Sequence, residues 1–157
     1  MTNDFQYHNI VAAVDGSQAT QQVVAAAINV ALRNNAHLDI LNIAQVDQVA
    51  DGFSNAVLSD QETYDAVHTA EERLNDLKAQ AEKAGVKEVA IHIRFGNPKR
   101  VIAREFPADH HNDLIVIGTT GLSGMERFVI GSVTNYVNRN ARCDVMVVQI
   151  KNTQKAK

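Results

Sequence analysis

The sequence predicts a single α/β domain: an open, doubly wound sheet of five parallel strands with helices on both faces. Three observations predict it. Short apolar runs alternate with amphipathic helical patterns along the whole chain. The run Ile10–Val14 is unbroken in apolar residues, as a central strand covered on both faces requires. Strands joined through helices must pair in parallel, with right-handed crossovers.

The five strand candidates are Ile10–Val14, Leu38–Ala44, Val89–Arg94, Leu114–Ile117 and Val145–Ile150, the third more polar and alternating. Between the first two, Ser17 can cap a helix whose apolar side is Val23, Val24, Ala27, Ile28 and Ala31. Ser59-Asp60-Gln61-Glu62 reads as a capping box opening a long helix with Val67, Ala70, Leu74, Leu77 and Ala81 on one stripe. Gly85 can end it. Asn97-Pro98 is an N-cap followed by proline at the first helical position, and that helix presents Val101, Ile102 and Phe106 before Pro107. A last helix starts near Ser132 with Val133, Tyr136 and Val137. The stretch 45–58 reads as a surface loop. The domain therefore takes in residues 1–157, with a core of about 8–150 and a solvated tail at 151–157.

Composition narrows the function. The chain has 157 residues, enough for one core. Its formal net charge of −3 lacks the basic excess of a polyanion binder, so neither nucleic acid nor an anionic membrane is expected as partner. The single cysteine, Cys143, allows no disulfide within the chain and suits a reducing cytoplasm. It reads as a small buried apolar residue. The N-terminal sequence carries no secretory signal pattern, and no apolar run approaches the roughly 18 residues of a membrane span.

In an open parallel sheet, ligands sit beyond the carboxyl ends of the strands where the strand order reverses. The first strand ends at Asp15-Gly16-Ser17 and the fourth at Gly118; as neighbours, Asp15 and Gly118 face each other across that crevice. From Gly118 the chain runs through Gly121 and Gly124 to Gly131-Ser132, where the next helix begins. Gly118 and Gly121 let the backbone approach a ligand or take positive φ. Exposed N–H groups at a helix start attract anions, and the Ser132 hydroxyl adds a donor. The segment 118–132 thus reads as a phosphate cradle, against the plainer reading of glycines as turn residues. No Walker motif, no G-x-G-x-x-G after the first strand and no G-x-S-x-G elbow is present.

The spaced pattern Gly118-x2-Gly121-x9-Gly131-Ser132 resembles the nucleotide-binding signature of the universal stress protein family. The ending Ala12-Ala13-Val14-Asp15-Gly16-Ser17 resembles that family's N-terminal signature. The stretch from Gly131-Ser132-Val133 through Ala141-Arg142-Cys143-Asp144-Val145-Met146-Val147-Val148 resembles its end. The likeness runs from about His8 to Ile150. Resemblance to the ATP-binding branch implies strand order 3-2-1-4-5, a Rossmann-like fold of the adenine-nucleotide alpha-hydrolase type, and bound ATP with magnesium. It implies that Ala13 and Ile43 flank the adenine and that Asp15 lies at the ribose or near a phosphate-bound metal. Gly118 would approach the ribose. Gly121, Gly131 and Ser132 would hold phosphates, with Val133 adding an N–H. Thr119-Thr120 stand where many members carry Ser-His; Thr119 keeps a hydroxyl, and any histidine-specific contact is lost. Asp144 replaces the family's usual proline after the late cysteine.

The remaining polar residues weigh less. Arg127 lies in the loop, and solvent is its default environment. Asp109, His110, His111 and Asp113 read as a polar turn; His8, His37, His68 and His92 are scattered, so no metal ligands are expected from the protein. The apolar last strand Val145–Ile150, left at an edge, invites pairing with a second copy, and the resemblance also implies a homodimer. The resulting expectation is an ATP-binding, dimeric switch of a stress response. A slow ATPase and a dimeric module that binds no nucleotide are the alternatives.

Overall fold

The computed structural model describes residues 5–44, 59–120 and 130–151. Its elements are β1 (Asn9–Val14), α1 (Ala19–Asn34), β2 (His37–Ala44), α2 (Asp60–Ala84), β3 (Val89–Phe95), α3 (Pro98–Arg100), α4 (Phe106–His110), β4 (Leu114–Gly118), α5 (Ser132–Asn140) and β5 (Asp144–Val148), with a π-helical turn, Val101–Glu105, joining α3 to α4. The strands form one parallel sheet in the order β3-β2-β1-β4-β5. This is the strand order that the family resemblance implies. No described helix is long and apolar enough to cross a membrane.

Alternation along the strands divides the core in two. Ile10, Ala12 and Val14, with Leu38, Ile40, Leu114 and Val116, face α1 and α2 and meet Val24, Ala27, Leu74, Leu77 and Ala81. Val11 and Ala13, with Leu41, Ile115 and Ile117, face the other way, onto Val101, Ile102, Phe106 and Val137. Burial on both faces explains why β1 and β4 carry no outward polar set.

Helix ends follow local chemistry. Ser59 and Glu62 close the capping box of α2: the Ser59 hydroxyl accepts the Glu62 amide, and Glu62 accepts the Ser59 amide at 2.8 Å. The amide and hydroxyl of Ser59 hold the Glu62 carboxyl below its usual value of 4.5. The stabilisation is therefore complete above that value and is lost as pH falls through the lowered one. The protection factor for amide exchange in the first turn of α2 is expected to fall on acidification through this range, and the fall should be absent in Glu62→Gln. Gly85 ends α2 at φ 112, a conformation that favours glycine.

Three local expectations need correction. The helix opened by Asn97-Pro98 does not stop before Pro107. At the π turn the Phe106 amide bonds back five residues to Val101, and the widened turn lets the chain carry the proline, which has no N–H to donate, and run on to His110. Ser17 stands one residue ahead of the N-cap position of α1, taken by Gln18, although its hydroxyl still accepts the Ala19 amide at 3.2 Å. The last strand ends at Val148, because the Ile150 amide turns to the Thr119 hydroxyl at 3.1 Å instead of continuing the ladder. The loop 45–58 and residues 152–157 of the tail lie outside the described residues.

Candidate functional site

The order of the strands reverses between β1 and β4, whose carboxyl ends open a cleft of about 340 Å³, a volume suited to a small ligand. Ala13, Asp15, Ile43, Gly118, Gly131, Ser132 and Val133 all line it. Of the remaining sequence-predicted site residues, Gly121 lies outside the described residues, and Thr119 is not on the wall. Thr119 is instead bound into the fold: its amide donates to Val148, its carbonyl accepts from Gly131, and its hydroxyl accepts from Ile150. Thr120 takes the lining position.

The walls have two characters. Ile43, Pro98, Ile102, Ile117 and Val133 make an apolar slot. Sequence reasoning misses Pro98 and Ile102 as lining residues; the signal that could find them is the helix start at Asn97-Pro98, which places that helix over the crevice. The start of α5, which also carries Val133, supplies the other. Gly131 occupies its N-cap with no side-chain cap, and Asn135 donates the first intrahelical bond to the Gly131 carbonyl. The first-turn amides of Ser132, Val133 and Thr134 precede that bond, so the helix leaves donors facing the end of the cleft. The Gly131 amide is not among them. It donates to the Thr119 carbonyl at 2.7 Å, which corrects the expectation that this N–H holds a phosphate.

The two described glycines of the motif have different reasons to be glycine. At Gly118 a Cβ would sit 3.1 Å from Ile150 and 3.2 Å from Val23, so a side chain there requires the protein's own packing to give by a few tenths of an ångström. Close approach at this strand end is to those two residues, and its φ is not in the left-handed region. At Gly131, φ is −59 and a Cβ would meet the Thr119 carbonyl at 3.5 Å and Thr120 Cα at 3.9 Å, both ordinary contacts. Among the described residues nothing demands glycine at that position. Asp15 is the only charged side chain on the described lining, and one of its oxygens accepts the Ser17 amide at 3.0 Å, fixing the turn after β1.

A second polar constellation lies toward the amino end of β2, and sequence reading misses it. Asp39 is 1% exposed on β2. Its Oδ1 accepts from His37 Nε2 and from His92 Nε2, each at 2.8 Å, and its Oδ2 accepts from Asn112 at 3.0 Å. Burial pulls the Asp39 pKa upward, but the bonds from His37, Asn112 and His92 together outweigh it and hold the carboxyl below its usual value. His110 closes over His92, with ring centroids 4.6 Å apart, and burial lowers its pKa. Thus His110 belongs to this cluster and not to a solvated turn. Asp113, by contrast, ties β1 to β4, accepting the amides of His8 and Asn9. Cys143 is half-buried, and burial raises its pKa.

Comparison with known proteins agrees with this architecture. The model of the universal stress protein family matches residues 6–149. A protein of Staphylococcus aureus (strain USA300), named as a universal stress protein, is 40% identical over 149 residues, spanning 91% of this chain and 84% of its own length. The structure of universal stress protein UspA from Lactobacillus plantarum superposes with a TM-score of 0.77 at 28% identity, covering 91% of this chain and 98% of that one. The universal stress protein of Archaeoglobus fulgidus solved in complex with dAMP superposes with a TM-score of 0.66 at 21% identity, covering 90% and 98%. The chain belongs to the universal stress protein family.

Proposed function

We propose that this protein binds ATP with magnesium in the β1/β4 cleft and acts as a cytoplasmic, nucleotide-dependent dimeric switch. The observation that carries the reading is the uncapped start of α5 at the end of an apolar slot: donors for phosphate beside a surface suited to a purine. In this reading Ile43 and Ala13 flank the adenine, and the main chain at Gly118 lies by the ribose. Ser132 and Val133 offer amides, and Ser132 a hydroxyl, to the phosphates, with Gly121 completing the cradle. A carboxylate facing phosphate is repulsive unless a cation stands between them, which is the part Asp15 plays toward magnesium. The dAMP complex of the Archaeoglobus relative supports an adenine nucleotide as the class of ligand. The edge position of β5, with its open row of main-chain groups, supports pairing with a second copy.

Thermal unfolding tests this. ATP with magnesium at 100 times its dissociation constant stabilises the native state by about 2.7 kcal/mol, which corresponds to roughly 5–11 °C for a domain of this size. Asp15→Ala is expected to remove the magnesium-dependent part of that shift. No shift at millimolar ATP, ADP, AMP or cyclic AMP contradicts the nucleotide reading. Sedimentation of the same samples is expected to show dimers; a monomer throughout contradicts the dimer.

A further inference from the structure

We propose that the Asp39 cluster is a second ligand site, for a divalent transition-metal ion of the zinc class, separate from the nucleotide cleft. Asp39 lies four residues before the cleft residue Ile43 on β2, about 13 Å along the strand. The two sites therefore sit toward opposite ends of the sheet.

The donor set is the first argument. Ligand atoms of Asp39, His92 and His110 lie within 4.8 Å of one another. A tetrahedral zinc site with bonds of about 2.0–2.1 Å places its ligand atoms roughly 3.3 Å apart. The observed separations bracket that value: the 2.8 Å contact from His92 to Asp39 must open by about half an ångström, and the wider ones must close. Two imidazoles and a carboxylate suit zinc, with cobalt(II) as its spectroscopic substitute.

The surroundings are the second argument. Both His37 and His92 donate an Nε2–H to the same carboxylate oxygen. Coordination through Nε2 needs that proton moved to Nδ1, where it needs an acceptor. At the rim of the cluster the Glu88 carboxylate stands 3.6 Å from His37 Nδ1, an ion-pair contact beyond hydrogen-bond distance. His37 is outside the group of converging ligand atoms and stays bonded to Asp39, so water takes the fourth position. Asn112, bonded to Asp39 through its amide nitrogen, holds its Oδ1 buried and without a hydrogen-bond partner among the described residues. A buried polar atom without a partner is uncommon in a finished structure and leaves an acceptor open to a further group. Access is short, since the His37 side chain is 26% exposed and that of His92 17%.

One residue opposes the ion. Arg94 donates to His110 Nε2 at 3.2 Å, so its charge and its hydrogen bond both compete with a cation for His110. A metal site and a purely structural polar cluster consequently respond to Arg94→Gln in opposite ways: the first gains affinity, the second has none to gain.

The test uses the untagged full chain, stripped with a chelator and titrated with zinc against a chromophoric competitor and with cobalt(II). One equivalent of zinc is expected to bind, and cobalt(II) is expected to show the intense visible bands of a four-coordinate site. His92→Gln and His110→Gln should each weaken zinc by more than about tenfold, and Arg94→Gln should tighten it severalfold. Circular dichroism establishes that each variant is folded. Absence of stoichiometric zinc binding, a cobalt spectrum indistinguishable from the aqueous ion, or affinity unchanged in folded His92→Gln and His110→Gln would overturn the proposal. The cobalt spectrum of the native protein decides the matter even if a variant fails to fold.

Discussion

Gly131→Val is expected to leave the protein folded while weakening adenine-nucleotide binding by about 10- to 100-fold, the equivalent of roughly 1–3 kcal/mol of steric conflict. The expectation rests on the contrast between two glycines. At Gly118 a side chain must displace Ile150 and Val23, so loss of binding after substitution there could simply report altered packing. At Gly131 the backbone angles are open to any residue, and the described neighbours leave ordinary contact distance for a Cβ. What a valine would obstruct is the mouth of α5, where the proposed function puts phosphate at the amides of Ser132 and Val133. Calorimetry with ATP and magnesium, beside thermal melting without ligand, separates the two effects. Unchanged affinity in the folded variant would mean that phosphate does not lie at this helix start.

The largest loss of stability is expected from Phe106→Ala, about 3–5 kcal/mol, which lowers the melting temperature by roughly 6–20 °C. Phe106 is 1% exposed in the core beneath α4. Its ring stacks on His110 at 4.1 Å, meets the edge of His92 at 4.9 Å and lies 5.3 Å beneath the Arg94 guanidinium. Truncation removes the apolar floor of the histidine cluster together with a large core side chain packed with Val101 and Ile102. Chemical denaturation measures the difference. A change below about 1 kcal/mol would show that the cluster and its floor are not packed as described.

Much of this architecture is legible in the amino-acid sequence alone. Alternating strand and helix patterns predict the five-stranded parallel sheet, and Asn97-Pro98, Ser59-Glu62 and Gly85 predict three helix ends, because each signal is local and needs no partner far along the chain. The order 3-2-1-4-5 follows from family resemblance, and seven of the proposed nucleotide contacts line one cleft because that topology brings β1 and β4 together. What stays hidden depends on contacts across the fold. The Gly131 amide is taken by Thr119 only because the chain doubles back after β4. The histidine cluster depends on register: β2 and β3 pair Asp39 with Ala90, so His92, two residues on, falls on the same face as Asp39, and α4 then delivers His110. Alternation along His37-Leu38-Asp39 is readable in one strand, but nothing local says what stands beside it.

The most direct measurement of the central claim is a structure determined with ATP and magnesium at saturating concentration. The account predicts adenine in the slot beside Ile43 and Ile102, phosphate oxygens at the amides of Ser132 and Val133, and magnesium between those oxygens and Asp15. Nucleotide bound elsewhere, or a cleft left vacant at saturation, would contradict it.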